Sequence, residues 1–136
     1  AVRKYPQKLG LKIAFDDRLA RLIYAGSDFF LIPSRYEPCG LTQMYSLRYG
    51  TIPIVRSTGG LKDSVQEFNP QRLEGNGFLF EEYETLSLLA ALDRALGFYQ
   101  QKPFWAKLKD NAFRCDFSWE KSALNYYELY LKILRF

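Results

Sequence analysis

The sequence has no histidine and only two cysteines among its 136 residues. A chain without histidine cannot itself supply a Ser-His-Asp triad, a Cys-His pair or a histidine-ligated metal. Cys39 and Cys115 fit no zinc-ligand spacing and are too few for a framework of several disulfides, so we expect a reducing compartment. These absences exclude several classes of hydrolase, and we expect no metal site.

Long apolar runs and long runs of one charge are missing as well. No run approaches the ~18–20 apolar residues that cross a bilayer, and the start of the chain lacks the apolar core of a signal peptide. Lys and Arg total 19 against 15 Asp and Glu, which gives a net charge of +4, but the basic residues are scattered. We therefore expect neither membrane association nor nucleic-acid binding.

What the chain does have is enough apolar surface for a core: 48% hydrophobic and 17% aromatic residues. Its length fits one compact domain or a piece of a larger one. Short apolar runs predict strands at Leu11–Phe15, Asp28–Pro33, Thr51–Val55 and Gly77–Phe80. Helical spacing between and after them predicts helices from Asp16 or Asp17 to Gly26, over 40–49 and 59–65, and from the caps Thr85 and Ser118, with Pro103 in a first turn.

Strands that alternate with helices predict an α/β fold: a Rossmann-like parallel sheet with helices on both faces. In such sheets ligands bind beyond the carboxyl ends of the strands. Three turns therefore become candidate sites: Phe15–Asp17, Ser34–Thr42 and Arg56–Gly60.

The turn Ser34–Thr42 carries the most chemistry. Glu37 leaves the strand end, and a helix begins a few residues later. The backbone N–H groups of Gly40, Leu41 and Thr42 would face the crevice, and free N–H groups at a helix start bind anions, phosphate above all. An ordinary turn, with Thr42 as a local cap, explains the same residues without a ligand.

The other two turns carry weaker signals. Gly59 and Gly60 open a short helix after the third predicted strand, but as a tight turn they need no ligand. Phe15, after the first predicted strand, could stack on a nucleobase or could belong to the core. Glycine turns on adjacent strands would face one crevice, which makes the pair stronger than either alone.

The stretch Ile32–Val65, which reads IPSRYEPCGLTQMYSLRYGTIPIVRSTGGLKDSV, closely resembles bacterial glycogen synthase and plant starch synthase. The run from Glu37 to Gln43 is highly specific to this family. The resemblance extends back to Tyr5-Pro6 and forward through Asp116–Trp119, so it covers nearly the whole chain.

The resemblance implies the GT-B architecture, in which two Rossmann-like domains enclose the active site. It implies transfer of glucose from ADP-glucose to the non-reducing end of an α-1,4-glucan, with retention of configuration and without a metal or other cofactor. Residues 1–136 would be a partial nucleotide-sugar-binding domain, the C-terminal one. The family occurs in the bacterial cytoplasm or the plastid stroma.

The resemblance also assigns roles by position. Glu37 matches the essential carboxylate beside the donor glucose, and the amides of Cys39 and Gly40 match those near the sugar hydroxyls. Leu41 and Thr42 match the helix start that receives the diphosphate.

Two positions mark the relation to neighbouring families. Phe15 matches a position usually held by tyrosine, whose ring stacks on adenine; phenylalanine keeps the stack and loses a hydroxyl. Many retaining GT-B enzymes have a second glutamate eight residues after the first, and Tyr45 stands there. Tyr45 argues against the first alternative, a sucrose-synthase-like transferase. The second alternative is a non-catalytic interaction module that keeps half the fold.

The resemblance places the phosphate-clamping Arg and Lys, and the whole acceptor-side domain, upstream of these residues. We therefore expect that this chain alone cannot transfer glucose. By analogy the full sheet has the order 3-2-1-4-5-6, and the chain would hold strands 3 to 6. Leu11–Phe15 would then lack its neighbours, which predicts a rearranged edge or a homodimer through the exposed edge.

Overall fold

A computed structural model describes residues 1–134. Three parallel strands form one sheet in the order β1-β2-β3: β1 Phe29–Ile32, β2 Ile52–Arg56 and β3 Phe78–Phe80. The helices are α1 Asp17–Gly26, α2 Thr42–Arg48, α3 Gly59–Ser64, α4 Thr85–Gln100, α5 Lys102–Phe113 and α6 Trp119–Ile133. The predicted α/β class with a parallel sheet is confirmed.

Local sequence signals set the starts of α1, α5 and α6. The Asp16 carboxylate accepts a hydrogen bond from the Leu19 N–H at 3.0 Å, and Ser118 caps α6 in the same way. Pro103 lies in the first turn of α5, as predicted. The predicted cap at Thr85 is wrong by one residue, because Glu84 has the extended cap backbone and Thr85 is already helical.

Helices cover both faces of the sheet. On one face α2, α4 and α5 bury a core whose members include Leu47, Ile54, Phe78, Ala91, Ala95 and Leu108. On the other face Leu61 of α3 and Val65, the residue after α3, pack against Ile32 and Val55. The central strand β2 is buried from Ile52 to Val55, whereas β1, at the edge, leaves Leu31 42% exposed.

Pro53 lies in the central strand although proline cannot donate a backbone hydrogen bond. It pairs with Phe30 of β1, and β3 pairs with β2 only from Ile54 onward. The missing N–H therefore falls before the β2–β3 ladder begins.

The predicted strand at Leu11–Phe15 is wrong. The segment forms no helix or strand, and Leu11, Ile13 and Phe15 are 71%, 88% and 101% exposed. A strand requires a neighbour with which to exchange hydrogen bonds, and this segment is not paired with β1. The rearranged edge is therefore wrong as well, while a dimer through this edge stays a prediction.

Helix α6 contributes no buried residue. Its apolar and aromatic side chains are exposed: Leu124, Tyr126, Tyr127, Leu129, Tyr130, Leu131 and Ile133. Over residues 1–134, no helix combines the length and the apolar character needed to cross a membrane.

Candidate functional site

Two turns meet at the carboxyl edge of the sheet. The β1 turn (33–41) follows β1, and the β2 turn (57–60) follows β2, its last two residues opening α3. Because β1 and β2 are parallel, both turns lie at the same edge. The Gly60 N–H donates a hydrogen bond to the Glu37 carbonyl at 3.2 Å, so the two turns touch backbone to backbone.

The contact requires glycine in the β2 turn. Gly59 has a φ of +46°, and a Cβ built on it would lie 1.9 Å from the Glu37 carbonyl oxygen. A Cβ on Gly60 would lie 1.8 Å from the Cys39 carbonyl oxygen. These distances leave no space for a side chain, so both glycines serve the close approach of the β1 turn.

The start of α2 completes the β1 turn. Gly40 has a φ of +72°, and Leu41 is the N-cap of α2 without a side-chain hydrogen bond. Thr42, which could have been a local cap, is instead the first helical residue. The first N–H groups of a helix have no partner within it, so this turn presents backbone donors where the resemblance expects the diphosphate.

The side chains of the β1 turn differ in exposure. Glu37 is half-buried and the Cys39 thiol is exposed. The structure thus brings together Glu37, Cys39, Gly40, Leu41 and Thr42 with Gly59 and Gly60. Within residues 1–134, no group of three or more Cys, Asp or Glu side chains is arranged to hold a metal ion.

Phe15 lies in a neighbouring cleft of about 660 Å³. Leu41 of the β1 turn and Tyr45 of α2 line the same cleft, together with Tyr24 of α1. Burial raises the pKa of the Tyr24 hydroxyl above its usual value. Phe15 and the start of α2 therefore line one cavity, and the Phe15 ring is exposed in it.

Sequence reasoning missed two residues that hold these turns. The first is Gln43, which is completely buried beneath the β1 turn. Its signal was its place on the inner stripe of α2, where Gln43, Ser46 and Leu47 follow the helical spacing.

The second is Arg56, the last residue of β2. Its guanidinium donates from Nη1 to the Arg35 carbonyl at 2.8 Å and from Nε to the Glu81 carbonyl at 3.0 Å. It also lies over the Tyr83 ring, 5.7 Å from the centroid. Arg56 therefore ties the β1 turn to the segment after β3.

We expect Arg56→Lys to loosen the β1 turn, because an ammonium cannot reproduce the planar fork that reaches two carbonyls. Losing about 1 kcal/mol of local stability would raise tryptic cleavage after Arg35 about fivefold. Mass spectrometry of the released peptide measures this rate. Arg48→Lys on the exposed side of α2 is the matched control and should leave the rate unchanged; equal rates in both variants would contradict the tether.

The fold and the paired turns define a class: a parallel α/β layer with its ligand edge at the strand carboxyl ends. The family model "Glycosyl transferases group 1" matches residues 12–112. The chain belongs to this glycosyltransferase family.

Curated relatives narrow the similarity. The chain is 56% identical over 131 residues to the glycogen synthase of Kosmotoga olearia, covering 96% of this chain and 28% of that protein. It is 59% identical over 127 residues to the glycogen synthase of Fervidobacterium nodosum, covering 93% and 26%. The chain thus spans little more than a quarter of the length of these relatives.

Solved structures agree with this similarity. The catalytic domain of starch synthase IV from Arabidopsis thaliana, bound to ADP and acarbose, matches with a TM-score of 0.82 and 39% identity, over 96% of this chain and 28% of that one. A sucrose-phosphate synthase from Thermosynechococcus elongatus matches with a TM-score of 0.68 and 26% identity, over 98% and 33%. The fold is therefore that of part of a GT-B catalytic domain.

Proposed function

We propose that residues 1–136 are the later part of the nucleotide-sugar-binding, C-terminal domain of a glycogen or starch synthase. The complete enzyme would transfer glucose from ADP-glucose to the non-reducing end of an α-1,4-glucan with retention. The observation that carries this proposal is the backbone contact between the two turns, which gathers Glu37, Gly40 and Gly60 at one edge. The ADP-bound starch synthase that the chain resembles supports ADP as the nucleotide.

The proposed chemistry follows from the charges that develop during transfer. The leaving diphosphate gains negative charge, which the amides of Leu41 and Thr42 and the helix dipole would stabilise. The sugar gains oxocarbenium character, which the Glu37 carboxylate would stabilise. The amides of Cys39 and Gly40 would hold the sugar hydroxyls. None of these roles requires a metal or another cofactor.

A chimera tests the proposal directly. This chain replaces the matching segment of the Kosmotoga olearia glycogen synthase, with which it is 56% identical, and incorporation of labelled glucose from ADP-glucose into glycogen is measured. We expect the chimera to be active and the isolated chain to be inactive. A folded but inactive chimera would contradict the proposed function, and an active isolated chain would contradict the need for the upstream part of the enzyme.

Sucrose-synthase-like transfer is the second candidate, and the sucrose-phosphate synthase match favours it to a limited degree. The lower identity and TM-score of that match, and Tyr45 in place of a second glutamate, weigh against it. A non-catalytic interaction module would bind neither ADP nor ADP-glucose.

The proposal extends to partners and place. The complete enzyme would bind the glucan and ADP-glucose, in the bacterial cytoplasm or in the plastid stroma. A homodimer through the free edge of β1, beside the exposed Leu11–Phe15 segment, is the arrangement to test by solution mass.

We expect Phe15→Ala to weaken ADP binding about tenfold, because stacking on a base contributes ~1–3 kcal/mol. The ring is fully exposed in the cleft, so its removal leaves no cavity in the core and should not affect stability. Calorimetric titration of the chimera with ADP measures the loss. Leu11→Ala, an exposed residue of the same segment that does not line the cleft, is the control; equal affinities for both variants would remove Phe15 from the base site.

A further inference from the structure

The Gln43 side chain lies beneath the β1 turn and has no exposed surface. Its Nε2 group lies 2.9 Å from the Gly40 carbonyl oxygen and 3.2 Å from the Cys39 carbonyl oxygen, with the Ser64 hydroxyl at 3.0 Å. The carbonyls can only accept, and the Ser64 hydroxyl already donates to the Gly60 carbonyl at 2.5 Å. The carboxamide must therefore present Nε2 to these three oxygens, and its two N–H groups are shared among them.

These hydrogen bonds fix the direction of two successive peptide planes. In a trans peptide the N–H points opposite to the C=O of the same plane, and no cis bond occurs in residues 1–134. The Cys39 carbonyl shares its plane with the Gly40 N–H, and the Gly40 carbonyl shares its plane with the Leu41 N–H. Because both carbonyls turn toward Gln43, both N–H groups turn away from it.

A glutamine at this buried position lowers stability in a way that an apolar side chain would not. The Gln43 Oε1 atom is buried without a hydrogen-bond partner and lies 2.6 Å from where a Gly40 Cβ would be. An unpaired buried acceptor lowers stability, and an apolar side chain of equal volume would have no such atom. In return, glutamine provides N–H groups that donate hydrogen bonds to the turn.

We propose that Gln43 is a positioning residue that aims the Gly40 and Leu41 amides at the nucleotide-sugar. Through the Ser64 hydroxyl it also couples the β1 turn to the Gly60 carbonyl of the β2 turn. Gln43 is fully buried beneath the turn, so it would act on the nucleotide-sugar through these two amides. The inference rests on the proposed function, because the proposed function assigns those two amides to the binding of ADP-glucose.

Gln43→Met in the chimera tests the inference, because methionine keeps the length of the side chain and removes both N–H donors. The charge on the diphosphate is larger in the transition state than in the bound donor, so the loss should fall on kcat. We expect kcat to fall about 100-fold and the KM for ADP-glucose to change by less than about threefold. Ser46→Ala, which removes a buried hydroxyl that bonds the Gln43 main-chain carbonyl, is the control and should keep kcat within about twofold.

Gln43→Glu adds a readout that a structural role would not move. The carboxylate form faces carbonyl oxygens and cannot donate, whereas the protonated acid donates one hydrogen bond. We expect its kcat, as a ratio to the wild-type chimera at each pH, to rise about tenfold between pH 8 and pH 5. The unfolding midpoint of the Gln43→Met chimera shows whether that variant folds. If it does not fold, the Gln43→Glu variant still tests the inference.

The outcomes separate the two claims. An inactive wild-type chimera overturns the proposed function and this inference with it. An active wild-type chimera with a Gln43→Met kcat within about threefold, or with a flat Gln43→Glu ratio, overturns the positioning role alone.

Discussion

Replacing Gly60 with alanine is expected to lower the free energy of unfolding by about 3 kcal/mol. The new Cβ would lie 1.8 Å from the Cys39 carbonyl oxygen, 2.5 Å from its carbonyl carbon and 2.6 Å from its Cα. All three atoms belong to the backbone, so no side-chain rotation relieves the clash. The two turns would have to separate, which breaks the hydrogen bond from the Gly60 N–H to the Glu37 carbonyl.

Urea unfolding measures the change, and Gly97→Ala is the matched control. A Cβ on Gly97 meets nothing within 4 Å, and the residue lies inside α4. The same substitution there should raise stability by about 0.5–1 kcal/mol, because glycine disfavours a helix interior. The two variants thus carry opposite signs, and a Gly60→Ala chain as stable as wild type would contradict the backbone contact.

Sequence patterns were enough to predict the strands and turns whose position depends on local sequence and on the order of the elements. The apolar run at Thr51–Val55 predicts a strand, and Ile52–Val55 is a buried part of β2. The rule that parallel strands end at one edge likewise predicts that the glycine turns after β1 and β2 adjoin. Both inferences need only local sequence and a topology.

The same patterns failed where the structure of a residue depends on segments that are distant in the sequence. Leu11–Phe15 has the composition of a strand, but it is unpaired and exposed, and composition does not reveal whether a partner strand is at hand. Gln43 is polar, and its burial depends on carbonyls of the β1 turn and on Ser64, which is 21 residues away. The helical spacing of α2 indicates that Gln43 lies on the buried face, but the long-range hydrogen-bond partners of its side chain leave no signal in the sequence.

Glu37→Gln is expected to reduce glucose transfer by the chimera about 10³-fold. The proposed carboxylate stabilises positive charge on the sugar ring, and a neutral amide of the same shape cannot. The backbone contact of this residue uses its carbonyl oxygen, which the substitution keeps, so the turn should hold its shape.

ADP carries no glucose, so its affinity for the Glu37→Gln chimera should change by less than about threefold. Glu82→Gln removes the same charge from an exposed position elsewhere and should keep transfer within about twofold. If Glu37→Gln retained a tenth or more of the activity, the assignment of the carboxylate to the sugar would be wrong. If ADP affinity fell together with kcat, Glu37 would instead be holding the turn. The separation of kcat from ADP affinity therefore distinguishes a group that acts on the reacting sugar from one that shapes the nucleotide site.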